Sequence, residues 1–268
     1  MKNISVSRLG LAFLLLSATA CVGVNNSMTA DSLGKGKTQF AVSPSYVRFV
    51  GDGGSSGFLG GAQAQVLHGT SSTADIGGRV SYQRLFLSEE SGTDGVTLAG
   101  FGAEFLSRVQ LKRSEKLNLA IAPSLGYTRM AASGQGASGG ANALQAKVPL
   151  LVGLPVGEHQ FVGSLGVSDA FFFGEGDPTN MINLTATMGF AARLPGTGVR
   201  IMPEVGMLYP LVGSTPDSGS SVNDDGTFVL QFSVGVLFGG GGGGGSDSDS
   251  EEDRSEDESD ESDESSDY

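Results

Sequence analysis

The sequence holds two histidines, His68 and His159, and one cysteine, Cys21. Nucleophilic chemistry needs a serine or cysteine beside a base that a third group orients. Ser71 and Ser72 follow His68 closely, but serines recur throughout the chain. Both histidines fall beside short turn segments and read as solvated turn residues. A phosphate-binding loop needs G-x-x-x-x-G-K-[ST]. The stretch GKGKT (34–38) ends in that way, yet Asp31 stands where the first glycine belongs and no strand precedes it. Asn223-Asp224-Asp225-Gly226 lacks the full pattern of a calcium loop. No histidine–cysteine cluster has metal-ligand spacing. The sequence thus offers no catalytic residue, metal ligand or cofactor site, and it is read as a protein that is not an enzyme.

Two other sets of residues carry chemistry of a physical kind. Arg79, Glu104, Arg108, Lys147, Arg200 and Glu204 all sit on the polar side of alternating runs. Charges confined in a narrow interior must be paired or hydrated. The second set is a repeated phrase, tyrosine followed two residues later by arginine: Tyr46 and Arg48, Tyr82 and Arg84, Tyr127 and Arg129. These pairs share the apolar side of their runs.

What positions both sets is period-2 alternation, the mark of strands with two unlike faces. In the run 227–238, Phe228, Leu230, Phe232, Val234, Val236 and Phe238 take one face; Val229, Gln231, Ser233, Gly235 and Leu237 take the other. Ten such runs follow one another: 38–50, 57–67, 75–87, 96–111, 117–130, 143–155, 160–173, 181–194, 199–212 and 227–238. Most exceed the ~5–6 residues of ordinary strands and suit the ~9–11 residues that cross a bilayer. No segment holds a helical period. The expected fold is all-β: an antiparallel transmembrane β-barrel of about ten strands over 38–238. A water-facing surface carries about 25–35% charged residues, whereas the polar face here is mostly Gly, Ala, Ser, Thr, Asn and Gln. That face suits a lumen, and the apolar face suits lipid.

Several finer expectations follow. Pairing Leu87 with Val96 puts Arg79 opposite Glu104, so a salt bridge is expected there. Pro44, Pro123, Pro149 and Pro203 fall inside runs, and because proline cannot donate to a ladder, either bulges or strands shorter than these runs are expected there. Connections alternate between short ones and mostly longer ones such as SEESGTDG (88–95) and AASGQGASGGAN (131–142). A barrel near eight strands fills its own interior, while open channels need about sixteen. A plugged or narrow lumen is therefore expected. Each tyrosine of the repeated phrase comes 7–10 residues into its strand, roughly 16–24 Å along the axis. Tyr209 lands at a similar level. These positions mark the far membrane interface, which tyrosine favours, with arginines able to reach headgroup phosphates.

The ends differ from the middle. Lys2 and Arg8 precede the short apolar run LGLAFLLLSATA (9–20), which is too short to cross a bilayer as a helix and reads as a signal peptide over 1–20. Residues 21–37 read as an N-terminal linker, and 239–268 as a glycine linker with a disordered acidic tail. The segment 246–268 holds thirteen acids and Arg254, a net charge of −12; the whole chain is −13, so the remainder sums to −1. A near-neutral body excludes the basic footprint of nucleic-acid binding. Like-charged, serine-rich sequence does not fold by itself. The tail is a solubilising segment, or a weak ligand for divalent cations or a basic periplasmic partner.

The stretch ATAC (18–21) resembles the lipobox of bacterial lipoproteins, with Ala18 where leucine is usual. The resemblance implies lipidation of Cys21; plain cleavage before Cys21 is the alternative. Val22 follows, which in that family favours the outer membrane. The alternating body resembles the small outer-membrane β-barrel proteins of Gram-negative bacteria. That resemblance implies insertion by the barrel-insertion machinery, which reads a last strand such as the one bearing Phe232, Val234, Val236 and Phe238. It also implies contact with outer-membrane lipid and lipopolysaccharide. The expected role is that of a non-enzymatic outer-membrane barrel lipoprotein with structural, adhesive or surface-interaction duties. A narrow channel for small solutes, or a soluble β-rich lipoprotein binding a ligand, are the alternatives.

Overall fold

The computed structural model describes residues 26–50, 58–86, 97–134, 137–174, 178–214 and 228–239. The expected signal peptide over 1–20, Cys21, the pair Leu87–Val96, Asn223–Gly226 and the acidic segment 246–268 lie outside the described residues. So does most of the sequence of the longer connections.

The described residues form eleven strands: β1 (Thr38–Val50), β2 (Phe58–Gly69), β3 (Ala74–Phe86), β4 (Thr97–Lys112), β5 (Asn118–Ile121), β6 (Ser124–Gly134), β7 (Ala137–Val156), β8 (His159–Gly174), β9 (Thr179–Arg193), β10 (Arg200–Ser214) and β11 (Phe228–Gly239). β5 and β6 are two halves of one barrel strand, since both lie between β4 and β7. Ten staves result. Each pairs antiparallel with its neighbours in sequence, and β1 pairs with β11 to close the ring. Closure leaves no unpaired edge, which is what an all-strand structure needs in lipid.

Alternation in sequence becomes alternation in exposure. Along β8 the burial switches at almost every residue. Phe161, Leu165, Val167 and Phe171 point out, while Val162, Ser164, Ser168 and Ala170 point in. The outer surface is a belt of apolar side chains, including Phe40, Phe101, Phe105, Leu125, Val148, Leu165 and Phe232, each more than two-fifths exposed. Outward-facing charges within the staves are Arg48, Arg84, Arg129 and Asp169, all in the half near the longer connections. The belt below them carries none among the described residues. A surface that is apolar outside and polar inside inverts the soluble pattern and fits a bilayer.

Prolines behave less uniformly than expected. Pro123 does interrupt its stave, between β5 and β6. Pro44, Pro149 and Pro203 do not shift the register. Val42 pairs with Val236 and Ser45 with Ser233, so the β1–β11 register is the same on both sides of Pro44. The pairs Pro149–Gly166 and Pro203–Val234 likewise lie in unbroken ladders. One missing N–H removes a single ladder bond, and the bonds on both sides keep the register. A shift occurs instead between Pro210 and Val212.

The expected loop 131–142 is also mostly strand. β6 and β7 continue pairing as far as Gly134–Ala137. Small residues erase the side-chain alternation there, but the backbone ladder does not depend on it. At the opposite end the turns are tight. Val156 pairs with His159, leaving a two-residue turn whose Gly157 has φ of 61°. Such hairpins demand positive φ, which glycine supplies.

The chain ahead of β1 does not stay outside. Asn26, Ser27, Met28, Thr29 and Ala30 are buried, and they lie within the barrel. Gly34 and Gly36, with φ of 83° and 78°, turn the chain from the lumen into β1. Gly36 N–H donates to the Gly69 carbonyl and Gly69 N–H to the Lys37 carbonyl, each 2.8 Å. A Cβ on Gly69 would overlap the Gly34 carbonyl oxygen, so glycine is required at this crossing.

Candidate functional site

The inner wall brings charged residues of successive staves to one level. Arg79 pairs with Glu104 across β3 and β4, and Arg79 Nη1 lies 3.1 Å from Glu104 Oε2. Lys147 Nζ reaches the other oxygen of Glu104 at 2.9 Å, and Ser124 donates to it at 2.6 Å. The same β3–β4 register sets Asp75 opposite Arg108, joined at 2.7 Å with both side chains fully buried. Glu204 faces inward from β10. Arg79, Arg108 and Lys147 therefore meet Asp75, Glu104 and Glu204 in equal number. Sequence reading missed Asp75, although the register that opposes Arg79 to Glu104 also opposes Asp75 to Arg108.

The N-terminal segment Asn26–Leu33 threads through this set as an extended plug. Two consecutive amides, of Asn26 and Ser27, donate to the two oxygens of Glu204 at 3.2 and 3.0 Å. Ser27 has φ of 46°, the turn that aims both amides at one carboxylate. Its hydroxyl meets Ser43 Oγ at 2.7 Å and accepts from Gln63 Nε2 at 3.0 Å. Arg79 Nη2 donates to the Asn26 carbonyl at 2.6 Å, and Arg108 Nη1 to the Thr29 carbonyl at 2.8 Å. Ala30 N–H donates to Gln160 Oε1, Ser32 N–H to Gln110 Oε1 and Leu33 N–H to Asp75 Oδ1, at 3.2, 3.2 and 3.0 Å. Gln160 Nε2 and Asn118 Nδ2 both donate to the Asp31 carboxylate. Backbone groups in a water-poor interior must find partners, and here the wall side chains supply them.

Packing completes the plug. Met28, Ala30 and Leu33 form one buried cluster with Leu67, Leu106, Ala120, Ala122 and Leu151. Glycine makes room: a Cβ on Gly153 would come within 2.9 Å of Ala30 Cβ. The lumen is thus not uniformly polar. Leucines and methionines line it where the plug presents its own apolar side chains. The plug was invisible to periodicity because an extended segment enclosed on all sides has no single face. The visible signal was GKGKT, whose glycines mark a reversal rather than a phosphate loop.

Arg200 lies apart from the network, half-buried at the short-turn mouth. There it lines a cavity of about 220 Å³ with Asp31, Lys35, Lys37 and Arg113. Tyr46, Arg48, Tyr82, Arg84, Tyr127 and Arg129 are exposed on the outer face, and Tyr209 is half-exposed there. Tyr127 Oη donates to Asn142 Oδ1 at 2.6 Å. His68 Nδ1 is bonded to Thr38 Oγ1, and His159 Nδ1 accepts from the Arg193 amide at 3.1 Å. Both histidines sit at short turns, away from the lumen charges. Among the described residues no group of three or more His, Cys, Asp or Glu side chains is placed to hold a metal ion.

This is the fold of an outer-membrane β-barrel: a closed ring of ten antiparallel staves with no helix among the described residues, apolar outside and carrying its buried charges within. Solved structures of outer-membrane proteins are similar to it. The translocator domain of autotransporter NalP from Neisseria meningitidis is similar over 86% of this chain and 97% of its own, with a TM-score of 0.51 and 13% identity. The outer membrane protease OmpT from Escherichia coli covers 76% of this chain and 96% of its own, at a TM-score of 0.44 and 7% identity. Ail, the attachment invasion locus protein of Yersinia pestis, covers 76% and 99%, at 0.36 and 10%. At such identities the likeness is one of fold. No family model matches the sequence, and no curated protein matches it.

Proposed function

We propose that this chain is a self-plugged, non-enzymatic barrel of the Gram-negative outer membrane, with a structural or surface-interaction role rather than an open pore. The observation that carries this reading is the plug, whose backbone is bonded to side chains of β3, β4, β8 and β10. A solute path through the lumen has to displace those bonds together. Single-channel recording of the full chain in planar bilayers is the test. Silence is expected, and a steady ohmic step would transfer support to the narrow-channel reading.

The outward tyrosines and arginines support a second element of the proposal. Tyr46, Tyr82, Tyr127 and Tyr209 mark the far interface, and Arg48, Arg84 and Arg129 reach lipopolysaccharide phosphates. An arginine near an anionic headgroup layer contributes about 1 kcal/mol. Lipopolysaccharide should therefore raise the unfolding temperature above that in phosphatidylcholine vesicles. Alanine at all three arginines should remove most of the difference. Retention of the full difference in that variant would remove the rim from the proposal. The last strand β11, with Phe232, Val234, Val236 and Phe238 outward, supports insertion by the barrel-insertion machinery. Lipidation of Cys21 has a geometric condition: four residues, 22–25, separate it from Asn26, about 18 Å of chain at full extension. The intact mass of the purified chain reads whether that cysteine is acylated.

A further inference from the structure

The short-turn mouth of the barrel is basic. Lys35, Lys37, Arg113 and Arg200 line its cavity, with Asp31 as the acid among them. Lys112 and Lys116 flank Arg113 and are exposed, and Arg193 lies opposite Arg200 across the β9–β10 pair. Among the described residues, and leaving out the mutually neutralising pair Asp75–Arg108, the acids at this end are Asp31, Glu115 and Glu158 against those seven cations, 7 − 3 = +4. Asp31 is held by Asn118 and Gln160, and Glu158 lies 3.9 Å from Arg193. Lys35, Lys37, Arg113 and Lys116 are exposed on the rim. A body that sums to −1 thus concentrates its positive charge at one end.

The negative charge of the chain starts at that same end. β11 finishes at Gly239, which pairs with Gln39, itself part of the cavity lining. From there seven glycines (239–245) lead to Ser246, where a segment of net charge −12 begins. A glycine linker of that length spans roughly 15 Å root-mean-square. Ten strands spaced about 4.8 Å apart and tilted near 45° make a ring of roughly 20 Å diameter. The tether's reach is comparable with the width of the mouth, so the first acidic residues are within reach of it. Tethering on this scale holds a ligand at about millimolar effective concentration, enough for contacts that are individually weak.

We propose that the basic mouth is the docking site of the chain's own acidic segment, Ser246–Tyr268. Lys35 and Lys37 on the plug-to-β1 turn, and Arg113 and Lys116 on the β4–β5 turn, receive its carboxylates. Many exposed ion pairs in water make this contact sensitive to salt. It does not depend on whether the lumen conducts.

Carbodiimide coupling of the full-length protein in detergent tests it. The reagent joins a carboxylate to a lysine amine in contact with it, forming an amide with net loss of water to the reagent. Proteolysis and mass spectrometry then locate the links. Links from tail Asp or Glu to Lys35, Lys37 or Lys116 are expected at 50 mM salt, with yield falling roughly tenfold at 1 M salt as the charges are screened. The K35E/K37E variant should lose the links at that turn. Mixing ¹⁵N-labelled with unlabelled chains should give links within one isotopic chain. A chain ending at Gly245 keeps every cation of the mouth and supplies a second readout: acetylation of Lys35 and Lys37 should rise severalfold when the tail is gone, at unchanged heat-modifiable gel mobility. Absence of tail–mouth links at low salt, links only between chains, or lysine reactivity unchanged by truncation would each overturn the proposal.

Discussion

Replacing Asp75 with alanine should lower the unfolding free energy by about 3–5 kcal/mol, because it leaves a buried guanidinium without its partner. Asp75 and Arg108 are fully buried and 2.7 Å apart. Each also holds the plug, Asp75 through the Leu33 amide and Arg108 through the Thr29 carbonyl. Arg108→Leu should cost a similar amount by stranding the carboxylate. The double variant D75A/R108L should cost clearly less than the two singles added, since an apolar replacement removes both unpaired charges. Urea midpoints in lipid vesicles, read by the gel mobility of folded and heated protein, measure all three. Additive losses would mean that the two residues act separately.

Deleting residues 26–33 should open the lumen. The staves close through backbone ladders that do not include the plug, so the deleted chain still has the means to form a barrel. What it loses is the filling. Discrete conductance steps are expected where the intact chain is silent, together with a lower urea midpoint. Each hydrogen bond to the wall contributes about 0.5–1.5 kcal/mol net, and the apolar cluster around Met28 adds burial. A folded deletion variant that stays silent would show that wall side chains alone block the lumen.

Much of the wall was legible in the sequence because lipid outside and polar contacts inside impose one period on every stave. The run 38–50 coincides with β1, eight other runs end within four residues of the observed strands, with 117–130 divided at Pro123, and 143–155 begins six residues inside β7. The opposition of Arg79 and Glu104 follows from two matched faces in one hairpin. Legibility fails where a residue is not confined to one of two environments. Asn26–Leu33 is surrounded by wall, so its neighbours vary without period. The β6–β7 extension is built of Gly, Ala and Ser, whose side chains hardly distinguish in from out. Pro44, Pro149 and Pro203 looked like breaks because a proline omits a donor, but a register is a collective property of many pairs.

The plug also has a consequence for how the molecule is completed. Asn26 and Ser27 find their carboxylate on Glu204, 178 and 177 residues away, while Ala30 waits for Gln160, 130 residues on. Contacts between such distant positions form late, after the chain between them has been ordered. The first described residues of the chain are thus among the last to be settled. Just four residues, 34–37, separate them from β1, the stave that meets β11 at the seam. The seam must therefore zip around a segment that is already inside or is drawn in as it closes. In kinetic terms the plug is a latch on circularisation: filling the interior and joining the two ends of the sheet become one event.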